Sequence, residues 1–456
     1  MSRRDDLESI VGRENIVRSD PEALEPYIKD MGDFSSEPLV VVKPNSVDQV
    51  SKIVSYARKE KIGVVARGAG TSLTGASSSH DSIVIDFSRN MNHILRIDTV
   101  NWYVHCEAGV VIEDLNNALK KQGFFFPPDP ASSSWCTIGG AIAENSGGMR
   151  CFHYGTMKDW VLALKVVLSD GSIVKLGEPL PKNRVGYDFV HLICGSEGTL
   201  ALIGEAWLKI IPLPQGIPSV RLLACFEEWN KAVDAIKEIR AMRLEPILLE
   251  FIDMETAKAV NSAFELGIPE YEATLFIEID SLSLDKLLQI IRNEGADSVH
   301  VAKDEADGER LYSARALAYL AVKSLGFATH TEDVVVPIDK LGEYLEFVKK
   351  TSEKYNLKIP TNGHAGDGNV HPVILYDQSS SDSIQYSKIA FGEICKYAIR
   401  VGGSVTGEHG IGEQKIEYAN TQLVEHNGEQ VIRIMKEVKR IWDPENIFNP
   451  GKFLKV

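Results

Sequence analysis

The sequence predicts an α+β fold in two domains, on three observations. A chain of 456 residues exceeds what one compact core holds. The segment 38–87 reads in the order strand, helix, strand, loop, strand. Beyond Pro212-Leu213-Pro214, a natural boundary, strands and helices alternate in the rhythm of an antiparallel sheet domain.

Taken in order, residues 1–36 read as a helical preamble, with Pro21 at a first helical position after Asp20. The apolar run 38–42 is a strand. Segment 46–59 carries Val47, Val50, Ile53, Val54 and Ala57 at helical spacing. Strands follow at 62–66 and 82–87, and the glycine-rich loop between them has no room for a helix. From 101 to 212 strands, short helices and glycine clusters continue. In the second domain 218–226 and 272–280 read as strands, and 229–243, 284–294 and 305–325 as helices. Glycine- and histidine-rich segments at 362–371 and 402–412 interrupt it. A final helix at 425–440 runs into Asp443-Pro444 and Asn449-Pro450-Gly451.

Composition excludes several function classes. A net charge of -15 opposes nonspecific nucleic-acid binding and docking on an anionic membrane through a basic patch. No stretch approaches the roughly 20 apolar residues of a membrane span. Acidic residues follow Arg3 and Arg4 where a signal peptide needs an apolar core, so the expected location is the cytoplasm. Six cysteines (106, 136, 151, 194, 225 and 395) form no C-x-x-C pair, which disfavours disulfides and an iron–sulfur cluster. They read as buried free thiols.

The chemistry-bearing segments are glycine loops. Arg67-Gly68-Ala69-Gly70-Thr71-Ser72-Leu73-Thr74-Gly75 would let consecutive N–H groups converge on an anion such as a pyrophosphate, with hydroxyl donors beside them. A Rossmann loop fails because the third glycine is misplaced and no helix follows, although Asp86 sits near the expected acidic position. A P-loop fails for want of G-K-[ST]. Alone, the alternative reading of this loop is a tight turn between strands. Further glycine turns follow at Gly139-Gly140, Gly147-Gly148 and Gly155, after Pro127-Pro128-Asp129-Pro130, and again at Gly195-Ser196-Glu197-Gly198. So much glycine-lined surface fits an extended dinucleotide better than a single phosphate.

In that order and spacing R-G-A-G-T-S-L-T-G, P-D-P-A-S, T-I-G-G, N-S-G-G and G-S-E-G-T-L resemble the FAD-linked oxidase family. This is the vanillyl-alcohol oxidase and p-cresol methylhydroxylase type of flavoprotein. The branch it resembles groups the glycolate oxidase D-subunit, D-lactate dehydrogenase and D-2-hydroxyglutarate dehydrogenase. The likeness spans about 38–452. It implies a two-subdomain FAD-binding domain of p-cresol methylhydroxylase type over 1–214 and an α+β substrate domain with an antiparallel sheet over 215–415. It also implies a C-terminal segment, 416–456, returning to the first domain. Residue by residue, the resemblance places Arg67, Gly68, Ala69, Gly70, Thr71, Ser72 and Thr74 around the pyrophosphate. Pro128, Asp129, Thr137, Gly139 and Gly140 would lie beside it. Asn145, Ser146, Gly148, Glu197, Gly198, Ile203 and Asn449 complete the implied FAD contacts. Ala69 and Gly70 leave no histidine in the first loop to bond the flavin, so noncovalent FAD is expected.

Three of the eleven histidines lie in the segments Gly363-His364-Ala365-Gly366-Asp367-Gly368-Asn369-Val370-His371 and Gly402 to Gly412, the latter containing Glu408-His409. Singly, each reads as a hydrogen-bonded core histidine; as a set with Glu408 they read as ligands for Zn or Mn. His364 and His371 are seven apart and meet only if the chain folds back between them. Histidine suits a base near neutral pH. The resemblance implies that His409 is the base and that His364, His371 and Glu408 are metal ligands. It also implies that Arg315 holds the substrate carboxylate. The other reading of Arg315 is a solvated helix charge.

The activity so implied is oxidation of a small D-2-hydroxy acid, D-lactate or glycolate, to the 2-oxo acid. Two departures separate the chain from the D-2-hydroxyglutarate members. His330-Thr331-Glu332-Asp333 stands where they carry a lysine, and Pro372-Val373 replaces a polar residue after the second metal histidine. Both favour a monoacid. Two other readings are alkyl-dihydroxyacetone-phosphate synthase and a noncatalytic flavoprotein subunit. The former's run of adjacent histidines is missing, and the latter need not keep both the 67–74 loop and Glu408-His409. Electrons would pass to a quinone, a cytochrome, an electron-transferring flavoprotein or an iron–sulfur subunit. A homodimer is the default assembly.

Overall fold

The computed structural model describes residues 3–17, 21–32 and 34–454; the capping position expected at Asp20 lies outside them. The chain divides into two compact units. The first comprises 1–147, 156–213 and 408–456, and the second 148–155 and 214–407.

In the first unit, the helix Val47–Glu60 begins where the Ser46 hydroxyl accepts the Gln49 N–H and stops at Lys61, whose backbone turns left-handed. It buries Val50, Ile53, Val54 and Ala57, the face expected from their spacing. The strands it joins, Val40–Val42 and Val64–Arg67, both pair in parallel with Ile83–Asp86. Parallel strands need a crossover of about a dozen residues or more; the helix supplies it between the two strands that flank Ile83–Asp86, and the glycine-rich loop after Arg67 supplies the next. The preamble is only partly helical, because Ile16–Val17 adds an antiparallel edge to this sheet. Two adjacent β-branched residues, buried against Val41 and Val42, favour the pleat over the helix. A second sheet of antiparallel strands runs in the order Ile94–Asp98, Tyr103–Glu107, Leu202–Lys209, Val161–Val167, Ile173–Gly177.

The expected last helix is two helices, Ile416–Asn427 and Glu429–Trp442. Gly428, at φ +84°, closes one and opens the other in a backbone state other residues avoid. After them the tail pairs with Val64, whose N–H donates to the Ile447 carbonyl and whose carbonyl accepts from Asn449.

The second unit is built on an antiparallel sheet. Its order is Ser298–Val301, Ser219–Phe226, Ala273–Asp280, Leu248–Asp253, Thr361–His364, Asn369–Tyr376, Ala328–Thr331. The segment read as an interruption at 362–371 is instead a hairpin inside this sheet. A Cβ on Gly363 would stand 2.2 Å from the Asn369 carbonyl oxygen, so only glycine allows the two strands to approach there. The unit boundaries differ from the expected 215–415 for local reasons. Thr406 and Gly407 both donate to Asp333, keeping the chain in the second unit up to Gly407. Met149 joins Ile252, Phe276 and Leu311 in that unit's core, which draws in 148–155. Among the described residues no helix is long and apolar enough to cross a membrane.

Candidate active site

In the first unit the glycine loops converge. The loop that follows Arg67 brings Gly68 against the start of the helix Ile138–Glu144. A Cβ there would lie 2.1 Å from Thr137 Oγ1, the atom that caps this helix by accepting the Gly140 N–H at 3.3 Å. Among the described residues the backbone N–H groups of Gly68, Ala69, Gly70 and Thr71 meet no protein acceptor, although Gly70 is buried. Buried N–H groups rarely go unsatisfied, so this cradle has the chemistry to receive an anionic ligand. Replacing Gly68 by alanine should displace Thr137 from the Gly140 N–H at a cost of about 1 kcal/mol and lower FAD occupancy. The flavin-to-protein absorbance ratio and a thermal melt check this; wild-type values in both would show the contact is dispensable.

Several residues implied as FAD contacts shape the cradle from behind. The Arg67 guanidinium is buried and donates to the carbonyls of Pro26 and Lys29, both at 2.8 Å. Ser72 Oγ accepts the Thr74 and Ala76 N–H groups, bending the loop on itself. Gly139 lies so close to Ala108 that an added Cβ would stand 2.7 Å from the alanine methyl. Asn145 turns left-handed at the helix end, and its side-chain oxygen accepts from the Thr156 hydroxyl and the Lys158 N–H. Ser146 Oγ donates to the Ala141 carbonyl. Pro128 and Ile203 are buried, Asp129 half-buried, and Gly198 adopts φ +66°. Gly148 falls in the second unit.

The E-H-G-I-G segment is wired to the same loops. Thr74 Oγ1 donates to the His409 carbonyl at 3.3 Å, and the Glu413 N–H donates to the Thr74 carbonyl. The buried Glu197 carboxylate accepts the Ile411 and Gly412 N–H groups at 2.6 and 2.7 Å. Asn449 Nδ2 bridges the carbonyls of Ala76 and Glu197. Burial raises the neighbouring Glu144 carboxyl well above its usual range, with repulsion from Glu197 adding to the effect. Glu197, held by two amides, is the better site for the anion and Glu144 for the proton. His409 Nε2 lies 3.6 Å from Glu408 Oε1.

In the second unit the hairpin sets Asn362 opposite His371 and His364 opposite Asn369, so both histidines share one sheet face. Their rings stand 5.2 Å apart at 86°. This is the fold-back that a separation of seven requires. Beside them Asp333 accepts from Asn369 Nδ2, Thr406 Oγ1 and the Gly407 N–H, at 2.7–2.9 Å, and stands 3.6 Å from His371 Nδ1. Histidines and carboxylates of this kind, Asp333, His371, Glu408 and His409 among them, are ligand types that suit a divalent cation.

Arg315 is no solvated helix charge. It is 5% exposed on the helix Glu305–Ala316, with Nη2 2.8 Å from Glu250 Oε2. The other partner of Glu250 is His364, whose Nδ1 lies 2.8 Å from both carboxylate oxygens. Sequence reading missed Glu250 and Asp333. A signal existed at Glu250, since a lone acid inside the apolar run Ile247-Leu248-Leu249-Glu250-Phe251 must find a buried partner.

Comparison with known proteins decides the family. Residues 218–453 match the model of the C-terminal domain of FAD linked oxidases, and 38–177 match an FAD binding domain. The chain belongs to the FAD-linked oxidase family. Family relatives include the glycolate oxidase subunit GlcD of Bacillus subtilis, 35% identical over 98% of this chain and 96% of the relative. A D-lactate dehydrogenase of Archaeoglobus fulgidus is 33% identical over 92% of each chain. The fold recurs in p-cresol methylhydroxylase with substrate bound, at a TM-score of 0.79 and 16% identity, covering 99% of this chain and 96% of that one. It recurs also in 4-ethylphenol oxidase from Gulosibacter chungangensis, at a TM-score of 0.77 and 19% identity over the same shares. Like its family, the chain carries an FAD-binding domain of p-cresol methylhydroxylase type and a second domain on an antiparallel sheet.

Proposed function

We propose that the chain oxidises a small D-2-hydroxy acid, D-lactate or glycolate, to the 2-oxo acid and passes the electrons to a separate acceptor. The observation that carries this reading is the second unit's sheet face, where paired histidines lie one buried carboxylate away from a buried arginine. The relatives named glycolate oxidase subunit and D-lactate dehydrogenase support it across nearly the whole chain.

Noncovalent FAD, held by the glycine loops of the first unit, would supply the acceptor for the hydride that leaves the hydroxyl-bearing carbon. His409 takes the hydroxyl proton, leaving a carbonyl. Arg315 holds the carboxylate through the fork not engaged by Glu250. His364, His371 and Glu408, with Asp333 behind His371, would hold Zn or Mn, which would lower the hydroxyl pKa. The preference for a monoacid rests on the missing cations. His330, where a lysine would serve a second carboxylate, stacks on Tyr376 at 4.6 Å. Burial lowers its pKa to about 4, so the ring is neutral at physiological pH.

The test is an anaerobic titration of the purified, FAD-loaded protein with D-lactate, L-lactate, glycolate and D-2-hydroxyglutarate, following the visible flavin band. Bleaching by D-lactate or glycolate but not by L-lactate is expected. Bleaching by D-2-hydroxyglutarate alone would overturn the monoacid reading, and no bleaching by any of the four would overturn the activity.

A further inference from the structure

We infer that Glu250 is a positioning residue that orients His364 toward a divalent metal and holds Arg315 in register with it. The register of the central strands brings the Glu250 and His364 side chains together. Phe251 stands opposite Gly363 and Ile252 opposite Asn362, and continuing that antiparallel count sets Glu250 opposite His364. Side chains opposite one another share a face, so the carboxylate and the imidazole are built to meet. They meet at Nδ1, 2.8 Å from each oxygen.

A carboxylate has no proton to give, so Nδ1 must be the donor. The neutral ring then carries its lone pair on Nε2, the nitrogen able to ligate a metal. An outer carboxylate fixing the tautomer and orientation of a ligating histidine is a general device for tuning metal affinity. Glu250 has a second task at the same atoms. Its Oε2 pairs with Arg315 Nη2 at 2.8 Å, and both side chains are nearly sealed from solvent, at 1% and 6% exposure. The guanidinium cancels the carboxylate's charge, which makes its burial tolerable. It also means that anything moving Glu250 moves both the histidine and the arginine.

This inference rests on the proposed metal reading, and the experiment separates the two. The protein is purified with FAD, stripped of metal and titrated with Zn²⁺ in competition with a chromophoric chelator. Wild type is compared with Arg315→Met and with the double variant Glu250→Leu/Arg315→Met. The double variant removes a buried ion pair as a unit, a change proteins commonly tolerate when apolar groups of similar size replace both partners. Arg315→Met should keep Zn²⁺ affinity within about threefold of wild type, because Glu250 still holds His364. The double variant should bind Zn²⁺ about 10–100-fold more weakly, with FAD content unchanged.

Equal affinity in both variants would reduce Glu250 to a counter-charge for Arg315 and overturn the inference while leaving the metal reading intact. No Zn²⁺ or Mn²⁺ binding by wild type would overturn the metal reading itself. A second measurement does not depend on how the variants fold. In the ¹⁵N-histidine spectrum of wild type, with His364→Gln identifying the resonances, the His364 proton is expected on Nδ1. A proton on Nε2 would overturn the inference.

Discussion

His409→Ala is expected to bind FAD normally yet be reduced by D-lactate about 10²–10⁴-fold more slowly than wild type, the range for loss of a general base. The segment around His409 is held by backbone groups that this change leaves alone. The His409 carbonyl accepts from Thr74, and the amides of Ile411 and Gly412 donate to Glu197. Truncating the imidazole therefore removes a proton acceptor without freeing the loop. Absorbance of the bound flavin and stopped-flow reduction under anaerobic conditions check the two halves. Normal FAD content with reduction within about twofold of wild type would remove His409 from the mechanism. Loss of FAD would make its role structural.

The largest stability effect is expected at Lys439. Its ammonium, 7% exposed, donates to the carbonyls of Thr199 and Phe448 at 2.7 and 2.9 Å and pairs with Asp443 at 2.5 Å. Asp443 in turn accepts the Ile447 and Phe448 N–H groups. One cation thus joins the last helix, the 447–449 tail that pairs with Val64, and the end of the G-S-E-G-T motif. Burial lowers the lysine pKa, and Asp443 acts in the opposite direction.

Lys439→Met would leave Asp443 buried without its counter-charge and strand two carbonyls, costing about 3–5 kcal/mol. Urea denaturation of the FAD-loaded protein measures it. A loss below about 1 kcal/mol, well under the cost of breaking a buried pair, would mean that the tail is held by its backbone pairing alone. The double variant Lys439→Met/Asp443→Asn should recover part of the loss, since the uncompensated charge is then gone.

Much of the first unit was legible because its signals are local. The helix Val47–Glu60 could be read from apolar spacing and a serine cap, and its neighbouring strands from short apolar runs. The glycine loops announced themselves by composition, and their order carried the family resemblance. What each glycine is for was not legible. Gly68 yields to Thr137 and Gly139 to Ala108, partners remote in the chain, and no periodicity encodes such approaches. The roles of side chains in the 67–74 loop were hidden for the same reason. Arg67 faces the carbonyls of Pro26 and Lys29.

In the second unit the residue types of the site were visible, and their grouping was not. His364 and His371 stood out as histidines among glycines, yet whether they met depended on a hairpin within 361–376, read from sequence as an interruption. Glu250 lay in a run that looked like plain core. The sequence by itself determined the elements, the glycine-rich loops and the inventory of histidines, arginine and acids, because propensity, spacing and composition act between near neighbours. Only the tertiary structure decided which of them touch. Strand register sets Glu250 opposite His364, and the packing of the helix Glu305–Ala316 brings Arg315 to the same carboxylate. Glu250 and His364 stand 114 positions apart in the chain, and sheet register over such distances is fixed by burial of whole faces rather than by any local signal.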